Sequence, residues 1–196
     1  MSTNNYEEEI YKFLTQPDNY ENLLSLVSNF EMIKAKLIKS FRLEVSLKVE
    51  ERLKSESKDN FVVKYNNNKN IIEVYKQEWF KGEHLPIIKF VYAFTNNPYT
   101  GIKHNNESKK LSFQKAIEIR EEVLDNLYGY EIRSDEGRFI VWKRNSAGFD
   151  ISNDINRELK KILPECREEI VQQFTEDLVA LVIKSTSIID ELIEKI

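Results

Sequence analysis

The sequence predicts an α+β domain in which an antiparallel β-meander is packed by long amphipathic helices, with a long C-terminal helix, and three observations lead to that class. Residues Phe61 to Lys103 are dense in aromatic and β-branched residues, in short runs parted by polar turns at Asn66–Asn70, Lys81–His84 and Thr95–Pro98. The segments on either side are rich in charge and place apolar residues at steps of three or four, the spacing of one helix face. Only 5 Gly and 4 Pro occur in 196 residues, and no Gly, Ser or Pro linker or fixed-period repeat divides the chain. One domain over residues 1–196 is therefore expected, its helices gathered on one antiparallel sheet.

Residues 1–21 read as a connector, with Tyr6, Ile10, Phe13 and Leu14 at helical spacing and Pro17 interrupting. A long helix is expected over 22–57, because Leu23, Leu26, Phe30, Ile33, Leu37, Phe41, Val45, Val49 and Leu53 form one stripe unbroken by Gly or Pro. Phe41, Leu43, Val45, Leu47 and Val49 also alternate as in a half-buried strand. Helix is preferred there, since no turn residue separates this part from the helix before it. In the meander, 61–103, Ile88, Phe90, Tyr92 and Phe94 share one face of a strand whose other face carries Val91 and Ala93, which suits a central strand. Ile71 to Trp79 starts apolar and ends polar, as an outer strand would.

Ser112 is placed to cap a helix over 112–128 that stops at Gly129. Residues 130–143 read as a second hairpin, turning at Ser134–Gly137. Ser152, Asn153 or Asp154 can cap the C-terminal helices over 152–196, which Pro164 interrupts. The last helix is apolar on two adjacent faces, Ile170, Leu178 and Leu181 beside Val171, Val182 and Ile189. Together with the stripe from Leu23 to Leu53 it presents more apolar surface than one small sheet covers, which points to a protein partner or a homodimer formed through this helix, packing of the helices within the monomer being the alternative.

A net charge of −4 gives no global attraction to nucleic acid or anionic membrane, so any such contact is a local patch. The single cysteine, Cys166, excludes an internal disulfide and a thiolate-based zinc site. With no basic leader and no apolar run long enough to span a bilayer, a cytoplasmic protein without membrane contact is expected. Phosphate-binding glycine loops, dinucleotide fingerprints and serine-nucleophile motifs are absent, and no cofactor is expected. His84 and His104 read as surface residues rather than metal ligands, and Cys166 as a small core residue rather than a nucleophile. Asp150, Ser152, Asp154 and Asn156 alternate like a calcium loop but lack its Gly and Glu, so helix capping accounts for them.

One stretch, Tyr128 to Phe149, is locally both basic and aromatic. Tyr130 and Trp142 are of the type that stacks on bases, and Arg133, Arg138, Lys143 and Arg144 of the type that pairs with phosphates. These six are the candidate nucleic-acid-binding residues. The alternative is a hairpin with its aromatics in the core and its charges solvated.

The succession LLSLVSNFEMIKAKLIKSFRLEV, EVYKQEW, IIKFVYAF followed by YTGIK, and a late helix after FIVWKR resembles, from Asn22 to Ile196, the region that follows the catalytic core in bacterial proteins of the PD-(D/E)XK nuclease superfamily. That superfamily holds Mg²⁺ with an acidic residue and an (Asp/Glu)-x-Lys triplet. Here Glu73-Val74-Tyr75-Lys76 is one residue too long, which sends Glu73 and Lys76 to opposite strand faces, and Glu107-Ser108-Lys109 falls in a polar loop. No catalytic residue is carried over. The resemblance implies a non-catalytic binding or accessory domain of a DNA-targeting, restriction or defence-type system. A degenerate nuclease and a phage or bacterial interaction or inhibitor protein are the alternatives.

Overall fold

A computed structural model describes residues 3–94, 98–132, 138–144 and 159–196. The chain divides into two compact units, Met1–Ile38 and Lys39–Ile196. Helix α1 (Thr3–Leu14) belongs to the first, and helix α2 (Pro17–Glu56) begins in it and ends in the second. Proline suits the first position of α2, where its missing N–H would have no helical partner. In the first unit Tyr11, Phe13, Leu26, Val27 and Ile33 are exposed.

The second unit is an α+β domain. Its strands β1 (Phe61–Asn66), β2 (Ile71–Lys76), β3 (Ile88–Ala93), β4 (Tyr99–His104) and β5 (Phe139–Arg144) follow chain order across one antiparallel sheet. β2 is interior, with Ile72 and Val74 fully buried, and β1 takes the edge, which corrects the expectation of an outer strand at 71–79. The polar end of that segment is a turn of 3₁₀ helix, Gln77–Phe80, in which Trp79 is buried. The β1–β2 turn closes through Asn70 at φ 53, a left-handed position that asparagine tolerates.

β5, the second arm of the hairpin expected over 130–143, is also part of the main sheet. It pairs along β4 as the fifth strand, and among the described residues its link to the 130–132 side is the antiparallel bridge between Glu131 and Trp142. The hairpin turn at 133–137, most of the turn at 95–98 and the capping residues 152–154 lie outside the described residues. The helix expected over 112–128 is broken into α3 (Phe113–Ala116), a 3₁₀ turn and α4 (Arg120–Asp125), with Ser112 capping α3 as expected.

Phe41, Val45, Val49 and Leu53 are buried in α2 while Leu43 and Leu47 are exposed, which settles Phe41–Val49 as helix: a strand would have sent all five alternating residues to one side. The last helix, α5 (Glu168–Glu194), lies on the sheet face that carries Val74, Lys76, Phe90, Tyr92 and Lys143. Phe174 of α5 meets Phe41, Tyr92 and Phe94 at ring separations of 5.2–6.2 Å, forming the aromatic centre of the core. Leu178, Val182 and Ile189 are fully buried within the chain, so the apolar surplus read at the C-terminal helix is used by its own sheet and α2. No described helix is long and apolar enough to cross a membrane.

Candidate nucleic-acid interface

The sheet register carries one row of residues across all five strands: Lys64, Glu73, Val91, Gly101 and Trp142. Side chains alternate along each strand, so these share the face opposite α5. The flanking rows add Val62 with Tyr75, then Lys89, Lys103 and Phe139 on one side, and Asn66, Ile71, Ala93, Tyr99 and Arg144 on the other. Among the described residues this second face therefore sets four cations, Lys64, Lys89, Lys103 and Arg144, against two carboxylates, Glu73 and the exposed Glu131 that bridges to Trp142. Lys64 and Arg144 are exposed, and Tyr75, Lys89, Tyr99, Lys103 and Trp142 are half-buried.

Its centre is an unfavourable pairing. Lys89 on β3 stands directly opposite Lys103 on β4, where like charges about 4.5–5.5 Å apart at Cβ destabilise a sheet. Glu73 neutralises one of them, through an ion pair to Lys89. The Lys103 ammonium instead lies over the Phe139 ring, 5.2 Å from its centroid. Burial, then repulsion from Lys89 and Lys69, pushes the Lys103 pKa down, with Glu73 pulling the other way. An anion placed between these lysines relieves both the desolvation and the repulsion.

Gly101 makes the close crossing of β4 and β5 possible. A Cβ there would lie 2.6 Å from the Val141 carbonyl oxygen and 3.2 Å from Phe139 Cδ1. Across the space, Tyr99 and Phe139 meet edge to face at 5.2 Å. Aromatic rings and cations thus alternate over β4 and β5: Tyr99 is opposite Arg144, and Lys103 opposite Phe139.

The six residues proposed from sequence are divided by this register. Trp142 and Arg144 fall on the second face. Lys143 points the other way and reaches Asp177 of α5 at 3.8 Å. Tyr130 lies beneath the Lys143 ammonium, 5.7 Å away, and burial followed by the Asp177 charge pushes its hydroxyl pKa far up. Arg138, at φ 58, sets its guanidinium 5.3 Å from the Phe113 ring. Arg133 lies outside the described residues. Sequence reasoning missed Lys64, Lys89, Lys103, Tyr75 and Tyr99, each separately visible on one face of a predicted strand but assembled only by the register.

Other polar clusters have structural partners. Lys76 donates to Asp190 at 2.6 Å and pairs with Asp59 at 3.0 Å, while the Trp79 indole donates to the second oxygen of Asp190 at 2.8 Å. Glu83 Oε1 accepts from the backbone N–H of Lys109 at 2.7 Å and of Lys110 at 3.0 Å, fixing that loop. His104 is buried, contrary to the surface placement expected, with Nε2 2.8 Å from the Leu111 carbonyl. Cys166 is exposed, not in the core. Among the described residues no group of three His, Cys, Asp or Glu side chains converges as a metal site. No family model, no curated protein and no solved structure matches the chain.

Proposed function

We propose that the protein is a non-catalytic nucleic-acid-binding domain and that the second sheet face is its contact surface. The observation that carries this reading is the directly opposed pair Lys89 and Lys103 with one carboxylate between them, flanked by Tyr75, Tyr99, Phe139 and Trp142. A half-buried excess of positive charge costs stability in the free protein, and a phosphate group compensates it. The net charge of −4 confines the attraction to this patch. The resemblance to the region following PD-(D/E)XK nuclease cores is compatible with such a role, as part of a DNA-targeting system.

The test is fluorescence anisotropy with labelled oligonucleotides across a salt series. Binding should weaken with salt, and Lys103→Ala combined with Arg144→Ala should lower the log–log slope by about 0.7–0.9 for each phosphate that the variant leaves without its cation. Binding and slope unchanged in that variant would refute this face as the interface.

A further inference from the structure

Resting on that reading, we infer that the ligand is a single strand whose bases stack on Tyr99 and Trp142 while its phosphates reach Lys89, Lys103 and Arg144. Three features of the face lead there. Tyr99 and Trp142 are diagonal neighbours on β4 and β5, since Tyr99 pairs with Arg144 and Gly101 with Trp142. Such positions are about 7–8 Å apart, roughly twice the spacing of about 3.4 Å per nucleotide along a duplex strand. Bases resting on both rings are therefore unstacked from each other, which an extended single strand permits and a duplex does not.

The second feature is depth. The Lys89 side chain is only 19% exposed, and Lys103 is half-buried beside the Phe139 ring. Ammonium groups at this depth are met more readily by a lone phosphodiester backbone, which is narrow and free to bend, than by a duplex, which is a wide rod. The third is the alternation itself: each ring position on one strand faces a cation on the next, Tyr99 with Arg144 and Phe139 with Lys103, which is the order of base and phosphate along a strand. Stacking is tolerant of base identity, so the inferred specificity is for strandedness rather than sequence.

Trp142 supplies a reporter, because the other tryptophan, Trp79, is 1% exposed and bonded to Asp190. The experiment titrates the full chain with a short oligothymidine, its duplex with oligoadenosine, and an abasic strand of equal length, following anisotropy and tryptophan emission. Expected are binding of the single strand at least about tenfold tighter than of the other two, and quenching that disappears in Trp142→Phe. Tyr99→Ala should weaken single-strand binding roughly tenfold, with an unchanged far-ultraviolet spectrum as the folding control. Equal affinity for all three, or quenching retained in Trp142→Phe, overturns the single-strand inference and leaves nucleic-acid binding standing. Binding of none of the three overturns the underlying function as well.

Discussion

Asp190→Ala should be among the most destabilising single changes outside the apolar core. Its two carboxylate oxygens hold the Trp79 indole at 2.8 Å and the Lys76 ammonium at 2.6 Å, which ties α5 to the end of β2. Trp79 is 1% exposed, so water cannot replace the missing acceptor, and an unsatisfied buried donor costs about 1–3 kcal/mol. Lys76, with its side chain 10% exposed, keeps only Asp59 at 3.0 Å. Because the Asp190 side chain is itself 33% exposed, the charge contribution is discounted. The total comes to about 2–4 kcal/mol, or roughly 4–16 °C in Tm at about 2–4 °C per kcal/mol for a chain of this size. Asp59→Ala removes a partner that is 43% exposed and should cost about 0–1 kcal/mol. Thermal and urea denaturation of the two variants checks this. Equal losses in both, or a Tm for Asp190→Ala within the error of the parent, would refute the clasp as described. Burial pushes the Lys76 pKa down, but its bonds to Asp190 and Asp59 outweigh that and hold it above the usual lysine value. The stability it brings is accordingly full below about pH 10.5 and lost as pH rises through the raised value.

His104 gives a second pH dependence of opposite sense. Burial pushes its pKa down, Arg138 adds to that, and the Leu111 carbonyl and Glu83 oppose it. Its neutral form is therefore the folded one, so stability is full above about pH 6.5 and falls as pH drops toward the lowered value. Denaturation at about pH 7.5 and about pH 5.5 should show a loss that shrinks in His104→Asn; an identical loss in that variant would contradict the assignment. Gly101→Ala should cost about 1–3 kcal/mol by forcing β4 and β5 apart, because the obstacle at 2.6 Å is backbone oxygen and cannot rotate away. A denaturation midpoint equal to the parent's would show that the strands yield without penalty.

The fold class was legible because strand and helix periods differ and the meander's turns are marked by asparagine, glycine and proline. The conflict at Phe41–Val49 was decidable from continuity alone, and the structure agrees because Leu43 and Leu47 turn outward. What stayed hidden was which strand neighbours which. β2 looked like an edge because Glu73 and Lys76 are polar, yet each is buried against a partner from elsewhere, Lys89 for one and Asp190 for the other. His104 read as a surface turn residue for the same reason, its acceptor being the carbonyl of Leu111. The candidate site shows the limit most clearly. Trp142 and Lys143 are adjacent in sequence, so local composition groups them, while the strand's alternation sends them to opposite faces. Lys89 and Lys103 become a pair only through the β3–β4 register, which composition does not encode.

The central claim is the location of the nucleic-acid contact, and chemical-shift mapping on the isotopically labelled chain tests it most directly. On titration with a short oligothymidine, the amides of Tyr99, Gly101, Lys103, Trp142 and Arg144 and the Trp142 indole should move together with one binding curve, while those of Phe174, Leu178 and Asp190 on the opposite side stay in place. Shifts confined to α5, or scattered without a common curve, would contradict it.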